Sequence, residues 1–188
     1  MSTLIDDITL KIAARVRRER TTRRWSLEDL AERSQVSKAM ISKIERAEAS
    51  PTAALLGRLS GAYGLTLSAL LAENEATRRG PVRRAEQAVW YDPGTGYMRR
   101  QVSASANIPI ELTEVELPAG ASVSFPASSY AFISQVMWVL EGRLTFVEED
   151  VAHDIGPGDS FELGAPVDRT FRNKTDAPCR YLVVVLRR

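Results

Sequence analysis

Between Trp25 and Gly64 the chain gives three helix-start signals in quick succession, and helices restarted at that pace have room only to pack as a small bundle. Ser26 is a good N-cap: Trp25 before it and Leu30 inside the helix can close a hydrophobic staple, and Asp29 stands where a capping-box acid belongs. Leu27, Leu30 and Ala31 then give one apolar stripe. The pattern restarts at Ser37, with Val36 and Ile41 as the next staple, and again at Ser50-Pro51, where the fixed proline angle suits a first helical position. That helix carries Leu55, Leu56, Leu59 and Tyr63 and stops at Gly64, a residue suited to the left-handed turn after a helix. Leu65-Thr66 opens a short further helix through Leu71, so five helices are expected within residues 1–72.

The middle helix, read from Lys38 to Ala47, is two-faced. A step of about 100° per residue sets Ile41 and Ile44 on one side and Ala39, Ser42, Lys43 and Arg46 on the other, with Lys38 and Met40 on the flanks. One face can pack; the other is short, polar and cationic. Small side chains allow close approach to a major groove, where lysine can donate to guanine and methionine or alanine can touch a thymine methyl. Lys43 and Arg46 can equally hold phosphates, which positions a helix without reading sequence. A solvated helix face would look the same.

The run VSKAMISKIERAEASPT and its surroundings, about residues 10–72, resemble the helix-turn-helix of the phage-repressor-like XRE family. The resemblance implies that Lys38, Ala39, Met40 and Lys43 face bases, and that Ser26, Ser37 and Arg46 contact phosphates, with Ser42 on the same surface. It also implies that Glu45, on the core side of its helix, pairs with Arg20 in the first helix. Two residues depart from the family: Arg24 and Gln35 stand where glycine is usual, at a cost of up to about 1 kcal/mol each if the backbone there is left-handed.

Net charge is +1, yet it is unevenly shared: residues 1–80 hold 14 Lys and Arg against 10 Asp and Glu, and residues 81–188 hold 11 against 14. The cluster Arg15, Arg17, Arg18, Arg20, Arg23 and Arg24 supplies most of the front excess, either as phosphate contacts or as a solvated helix face. The single cysteine, Cys179, can form no intrachain disulfide, the N-terminus lacks the basic residues of a signal peptide, and no apolar run approaches membrane length. These features predict a cytoplasmic protein with no membrane contact. A charged stretch with Gly80-Pro81 loses the apolar period and marks a linker over residues 73–86.

Beyond it the helical pattern vanishes. Short strand-like runs appear between turn signals: AVWY, GYMRRQVSA, IPIELTEVEL, ASVSF, QVMWVL, RLTFV, SFEL, VDRTFRN and RYLVVVL. They predict an antiparallel sandwich or barrel over residues 87–188, making the chain α+β in two domains. ELPAGAS, WVLEGRLTF and IGPGDSFELGAPVDRTFRNKTDAP resemble the cupin family of double-stranded β-helix barrels, over about residues 100–186. Cupins hold a metal with a His-x-His pair, a glutamate and a later histidine. Here the glutamate place falls on Gln135, the paired-histidine places among Ser128, Ser129, Tyr130 and Ala131, and the last histidine place on Arg169. The sole histidine, His153, is expected in a turn, and neither a metal nor another cofactor is expected.

A buried arginine demands an anion. By strand alternation Met137 and Val139 share the inward face with Gln135, and Phe171 shares it with Arg169. Tyr130, Gln135, Met137, Arg169 and Phe171 are therefore the candidate binders of a small anionic ligand, unless Arg169 is satisfied by Glu162 or Asp168. Trp138, on the opposite face, is placed either in a dimer interface or as a cap on the core, the core being the expectation.

The pairing resembles bacterial transcriptional regulators that join an XRE reader to a cupin sensor. It implies a homodimer on a near-palindromic double-stranded operator, with a small-molecule effector. Two alternatives remain open: a cupin domain that only dimerises or docks another protein, and a metal-dependent cupin enzyme. No nucleophile with a matched base is evident, which predicts a non-enzyme.

Overall fold

A computed structural model describes residues 2–71, 80–103 and 108–187. Five helices come first: α1 (Ser2–Thr22), α2 (Leu27–Ser34), α3 (Lys38–Glu45), α4 (Ala53–Tyr63) and α5 (Leu67–Leu71). Their apolar stripes meet in one core in which Val16, Leu30, Ile41, Leu56 and Leu59 have no exposed surface. The capping box forms as read: Ser26 Oγ accepts from the Asp29 amide at 3.0 Å and Asp29 accepts from the Ser26 amide at 2.7 Å. The Ser26 amide, with the Ser26 side chain second, holds the Asp29 carboxyl below its usual range. Ser37 Oγ caps α3 by accepting from the Met40 amide.

Two boundaries differ from the sequence reading. Helix α3 ends at Glu45 rather than Ala47, because Arg46 already leaves helical geometry and Ala47 turns left-handed at φ 56°. The third helix start is not Ser50-Pro51. Thr52 is the cap, its side chain accepting from Leu55, so Pro51 stiffens the extended entry instead of the first turn.

The second half holds ten strands, β1 (Val89–Tyr91), β2 (Met98–Gln101), β3 (Ile110–Leu117), β4 (Ser122–Phe125), β5 (Ile133–Glu141), β6 (Leu144–Glu148), β7 (Val151–Ile155), β8 (Ser160–Glu162), β9 (Arg169–Arg172) and β10 (Cys179–Arg187). All pairings are antiparallel. They build a six-stranded sheet, β1-β2-β3-β10-β5-β8, and a four-stranded sheet, β4-β9-β6-β7. The predicted barrel is thus two sheets that are not closed into one ladder. Their inner faces share a core of Leu117, Met137, Val139, Leu144, Phe146 and Cys179, all without exposed surface. Strand β7 lies outside the predicted strand-like runs, since His153 and Asp154 interrupt its apolar residues and it sits at a sheet edge. It overturns the placement of His153 in an exposed turn: the imidazole is half-buried, paired across from Phe146 and 4.8 Å from the Phe161 ring.

Of the expected linker, residues 73–79 lie outside the described residues. Its end is anchored, Arg84 donating twice to Glu114 at 2.9 and 3.2 Å and holding that carboxyl below its usual range. The helical bundle sits directly on the open end of the sheets. Helix α4 packs on β4 and on the short 3-10 turn Ala127–Ser129. A Cβ on Gly57 would stand 2.6 Å from the Phe125 ring, and one on Gly61 3.0 Å from the Ser128 backbone. Asp92, in the β1–β2 turn, accepts from the Ala53 amide at 2.6 Å and so caps α4 from the other domain. Thr66 donates to Glu111 at 2.7 Å, and Ser68 shares a hydrogen bond with Thr113 at 2.9 Å.

Candidate functional site

Helix α3 presents the two faces its periodicity requires. Ile41 and Ile44 are buried, whereas Lys38, Ala39, Lys43 and Arg46 are exposed and Ser42 partly so. Met40 is half-buried and leans on the core. In the free protein the cations are lightly held: Lys38 pairs with Glu28, and Arg46 with Glu48 at 2.6 and 2.8 Å and with Ser42. These exposed pairs contribute little to stability and exchange readily for another anion. The Glu48 carboxylate holds the Arg46 guanidinium above its ordinary range. The hydroxyls of Ser26 and Ser37 serve as helix caps, at the N-terminal ends of α2 and α3.

Glu45 and Arg20 form a fork. Nε and Nη2 of Arg20 each donate to one carboxylate oxygen at 2.7 Å, and Nη1 donates to the Trp25 carbonyl at 2.9 Å. The pair ties the end of α3 to α1 and raises the Arg20 pKa, chiefly through the Glu45 hydrogen bonds. Arg24 and Gln35 are left-handed, at φ 58° and 55°. Several arginines of the basic cluster serve the bundle's own packing: Arg15 and Arg23 pair with Glu19, and Arg23 also donates to the Tyr63 carbonyl.

In the β domain Gln135, Met137 and Val139 point inward as alternation demands. Arg169 is buried too, at 1% exposure, but its anion is internal. Nε donates to Glu148 at 2.6 Å, Nη2 donates to the Ala165 carbonyl at 2.8 Å, and the guanidinium lies 4.4 Å over the Tyr130 ring. Neither Glu162 nor Asp168 is the partner. Asp168 instead accepts from the Ala127 amide. Arg169 thus has an internal counter-ion, because Glu148, directly across the β6–β9 ladder, meets its charge, while its Nη1 is buried with no hydrogen-bond partner.

A narrow cavity of about 50 Å³ lies between the inner sheet face and the helical bundle. Tyr130, Gln135 and Phe171 line it, together with Tyr97, Arg99 and Phe125, while Gly57, Ser60, Thr66, Leu67 and Ser68 roof it from α4, α5 and the turn between them. Met137 lies deeper in the core and does not reach it. Burial keeps the Tyr130 and Tyr181 phenols protonated, both raised well above their ordinary range. A larger hollow along α1, about 490 Å³, is an open surface groove lined by Arg17, Arg18 and Arg46.

Residues 16–70 match the helix-turn-helix model HTH_3, and residues 113–185 match the Cupin_2 cupin-domain model. The chain is an XRE-type helix-turn-helix domain joined to a cupin domain. This is the architecture of helix-turn-helix transcriptional regulators. The HTH_3 family transcriptional regulator from Vibrio cholerae superposes with a TM-score of 0.81 at 20% identity, covering 98% of this chain and 99% of that one. That likeness shows the whole fold, both domains together. The HTH-type transcriptional regulator SutR of Escherichia coli (strain K12) is 23% identical over 175 residues, 90% of each chain.

The cupin metal position does not suit a cation here. Gln135 offers a neutral amide, Ser128 and Ser129 sit in the turn under α4, and Arg169 places a buried positive charge where the last histidine would be. Among the described residues no group of three or more His, Cys, Asp and Glu is placed to hold a metal ion.

Sequence reasoning missed Arg99. The signal was present in the Arg99-Arg100 pair of β2, since alternation must turn one of two adjacent arginines inward. Arg100 faces Glu114 at 3.6 Å, and Arg99 takes the cavity side. Trp138 was expected in the core and is instead 47% exposed on the outer face of β5, its indole donating to the Gly158 carbonyl at 3.2 Å.

Proposed function

We propose that this protein is a sequence-specific DNA-binding regulator of the cytoplasm that acts as a homodimer and whose cupin domain senses a small molecule without catalysing a reaction. The observation that carries the reading is α3: Ile41 and Ile44 on its apolar side are fully buried, and Lys38, Ala39, Lys43 and Arg46 on its other side form a short, exposed cationic face. Lys38, Ala39, Met40 and Lys43 address base edges, and Arg46, Ser42 and the cap hydroxyls of Ser26 and Ser37 address phosphates.

The dimer is supported by the outer face of the six-stranded sheet. Val136, Trp138 and Leu140 stand exposed along β5, and the exposed Leu186 of β10, across from Ser134 of β5 and Ile110 of β3, lies two positions further along the same face. An apolar patch of this kind on a soluble domain marks an interaction surface, and a second copy would bring two α3 helices to one duplex.

The test is a binding-site selection from random duplexes. Lys38→Ala relaxes preference at one or two base pairs, whereas Arg46→Ala weakens binding to every duplex and lowers the slope of log K against log salt by about 1. Unchanged preference in Lys38→Ala would refute the placement of the recognition helix.

A further inference from the structure

Arg99 is a permanent, half-buried cation that lines the partly open cavity between the inner sheet face and the helical bundle. Its Nη1 donates to the Tyr97 hydroxyl at 2.9 Å and its Nη2 to Ser68 Oγ at 3.0 Å, both neutral acceptors. Its Nε is buried and has no hydrogen-bond partner. Among the described residues no carboxylate pairs with it. Other arginines with little exposed surface are treated differently: Arg20 has Glu45, Arg169 has Glu148, and Arg100, on the opposite face of β2, has Glu114. A half-buried guanidinium held only by neutral acceptors has its charge unmatched, and a carboxylate in the cavity that meets the Nη groups matches it with charge-assisted hydrogen bonds.

The rest of the cavity suits a small organic acid. Phe125 and Phe171 supply apolar wall, and the Gln135 side chain, at 8% exposure, reaches it as a polar group with no protein hydrogen bond among the described residues. A volume of about 50 Å³ holds a molecule the size of a few waters, which means acids of two to four carbons.

We propose that this cavity binds a short-chain carboxylate through Arg99, with Gln135 reading a second polar group such as a hydroxyl or keto oxygen. The site is shared between domains. Ser68 belongs to α5, it accepts from Arg99 Nη2, and it also bonds Thr113 of the cupin domain. A carboxylate on Nη2 shares that amino group with Ser68, so occupancy weakens one of the hydrogen bonds that seat the helical domain. This rests on the reading of the chain as an effector-responsive regulator. A ligand shifts the seating only by its preference for one arrangement over the other.

The experiment uses the full chain and three probes, acetate, glycolate and lactate, against the neutral acetamide and ethylene glycol at constant ionic strength. Binding is read by calorimetric titration and by melting temperature. Glycolate and lactate are expected to bind and to raise the melting temperature saturably, the neutral compounds are not, and Arg99→Gln abolishes the response. Ser68→Ala, which removes the competing acceptor and leaves the guanidinium in place, tightens glycolate binding about tenfold, the equivalent of one hydrogen bond to a charged group. It keeps the proposal testable if Arg99→Gln does not fold. Absence of binding by all three acids, an equal response in Arg99→Gln, or weaker binding in Ser68→Ala would overturn the site. The effector reading is measured separately, as affinity for a selected duplex with and without saturating glycolate. Binding without any change in duplex affinity leaves the site standing and overturns its regulatory role.

Discussion

Breaking the fork between Arg20 and Glu45 should destabilise the helical domain far more than breaking any other ion pair of the bundle. The Glu45 side chain is only 8% exposed and that of Arg20 15%. Arg20→Met removes two 2.7 Å charge-assisted bonds, strips the Trp25 carbonyl of its donor, and leaves a carboxylate with almost no water. Breaking a fully buried pair costs about 3–5 kcal/mol, and the residual exposure of Arg20 places this one near about 3 kcal/mol. Glu45→Met leaves a more accessible guanidinium that keeps its bond to Trp25, so about 2 kcal/mol is expected. The double variant places two apolar side chains against each other and should be no worse than the milder single variant, a coupling of about 3 kcal/mol. Urea unfolding followed by helical circular dichroism reads this directly, and in melting temperature Arg20→Met should fall by at least about 12 °C. If the single variants each cost less than about 1 kcal/mol and simply add, the pair is screened by solvent and Ile41 and Ile44 alone hold α3 in place.

Arg24→Gly should raise stability by about 0.5–1 kcal/mol, measured as a higher melting temperature, because the φ of 58° is relieved while no hydrogen bond of the side chain is lost; a decrease would refute the strain argument. Asp92→Ala removes the cap that the cupin domain provides to α4 and should cost about 1–2 kcal/mol, with calorimetry resolving separate melting of the two domains. Trp138→Asp should convert a dimer to a monomer in sedimentation equilibrium without altering the melting of the cupin core, since the indole is half exposed. The Cys179 thiol is pushed up to about 11 by burial, so a disulfide reagent at pH 8 should leave the folded protein unmodified and label it in urea. Because the unfolded thiol titrates near 9 and the folded one near 11, the native state holds the extra proton between those values and stability falls as pH rises through that window.

Legibility in the sequence followed the length scale of the signal. Helix starts were readable because a cap is a local event: Ser26 with Asp29 and Ser37 with the Met40 amide lie within four residues of each other. The Thr52 cap was obscured by Pro51, whose fixed angle suits an extended entry as well as a first turn. Inward and outward faces of β5 followed from strict alternation, and that gave Gln135 and Met137 their orientation. What alternation cannot give is the partner. Glu148 lies 21 residues from Arg169 in the chain and meets it only through the β6–β9 register, so the anion was sought nearby at Glu162 or Asp168 and among ligands. Arg99 was legible by alternation within the Arg99-Arg100 pair, but its bond to Ser68, 31 residues away, was not.

The contact between domains was the least visible element and has the clearest signature once seen. Glycine inside a helix costs about 1 kcal/mol relative to alanine, and α4 carries two, Gly57 and Gly61, four residues apart and therefore on one face. Nothing in the helical bundle itself requires them. Both meet the cupin domain at distances that exclude a methyl group, 2.6 Å to the Phe125 ring and 3.0 Å to the Ser128 backbone. The same face of the molecule supplies the Asp92 cap and the Ser129 bond to the Gly57 carbonyl. Helix α4 also packs against α2, the first helix of the reader. The propensity lost in α4 is thus offset by docking, and the pose of α3 is referred through α2 and α4 to the cupin sheets rather than to the linker. If two copies pair through their cupin domains, as proposed above, the spacing of their α3 helices on a duplex follows from this seating, with the length of the linker contributing little.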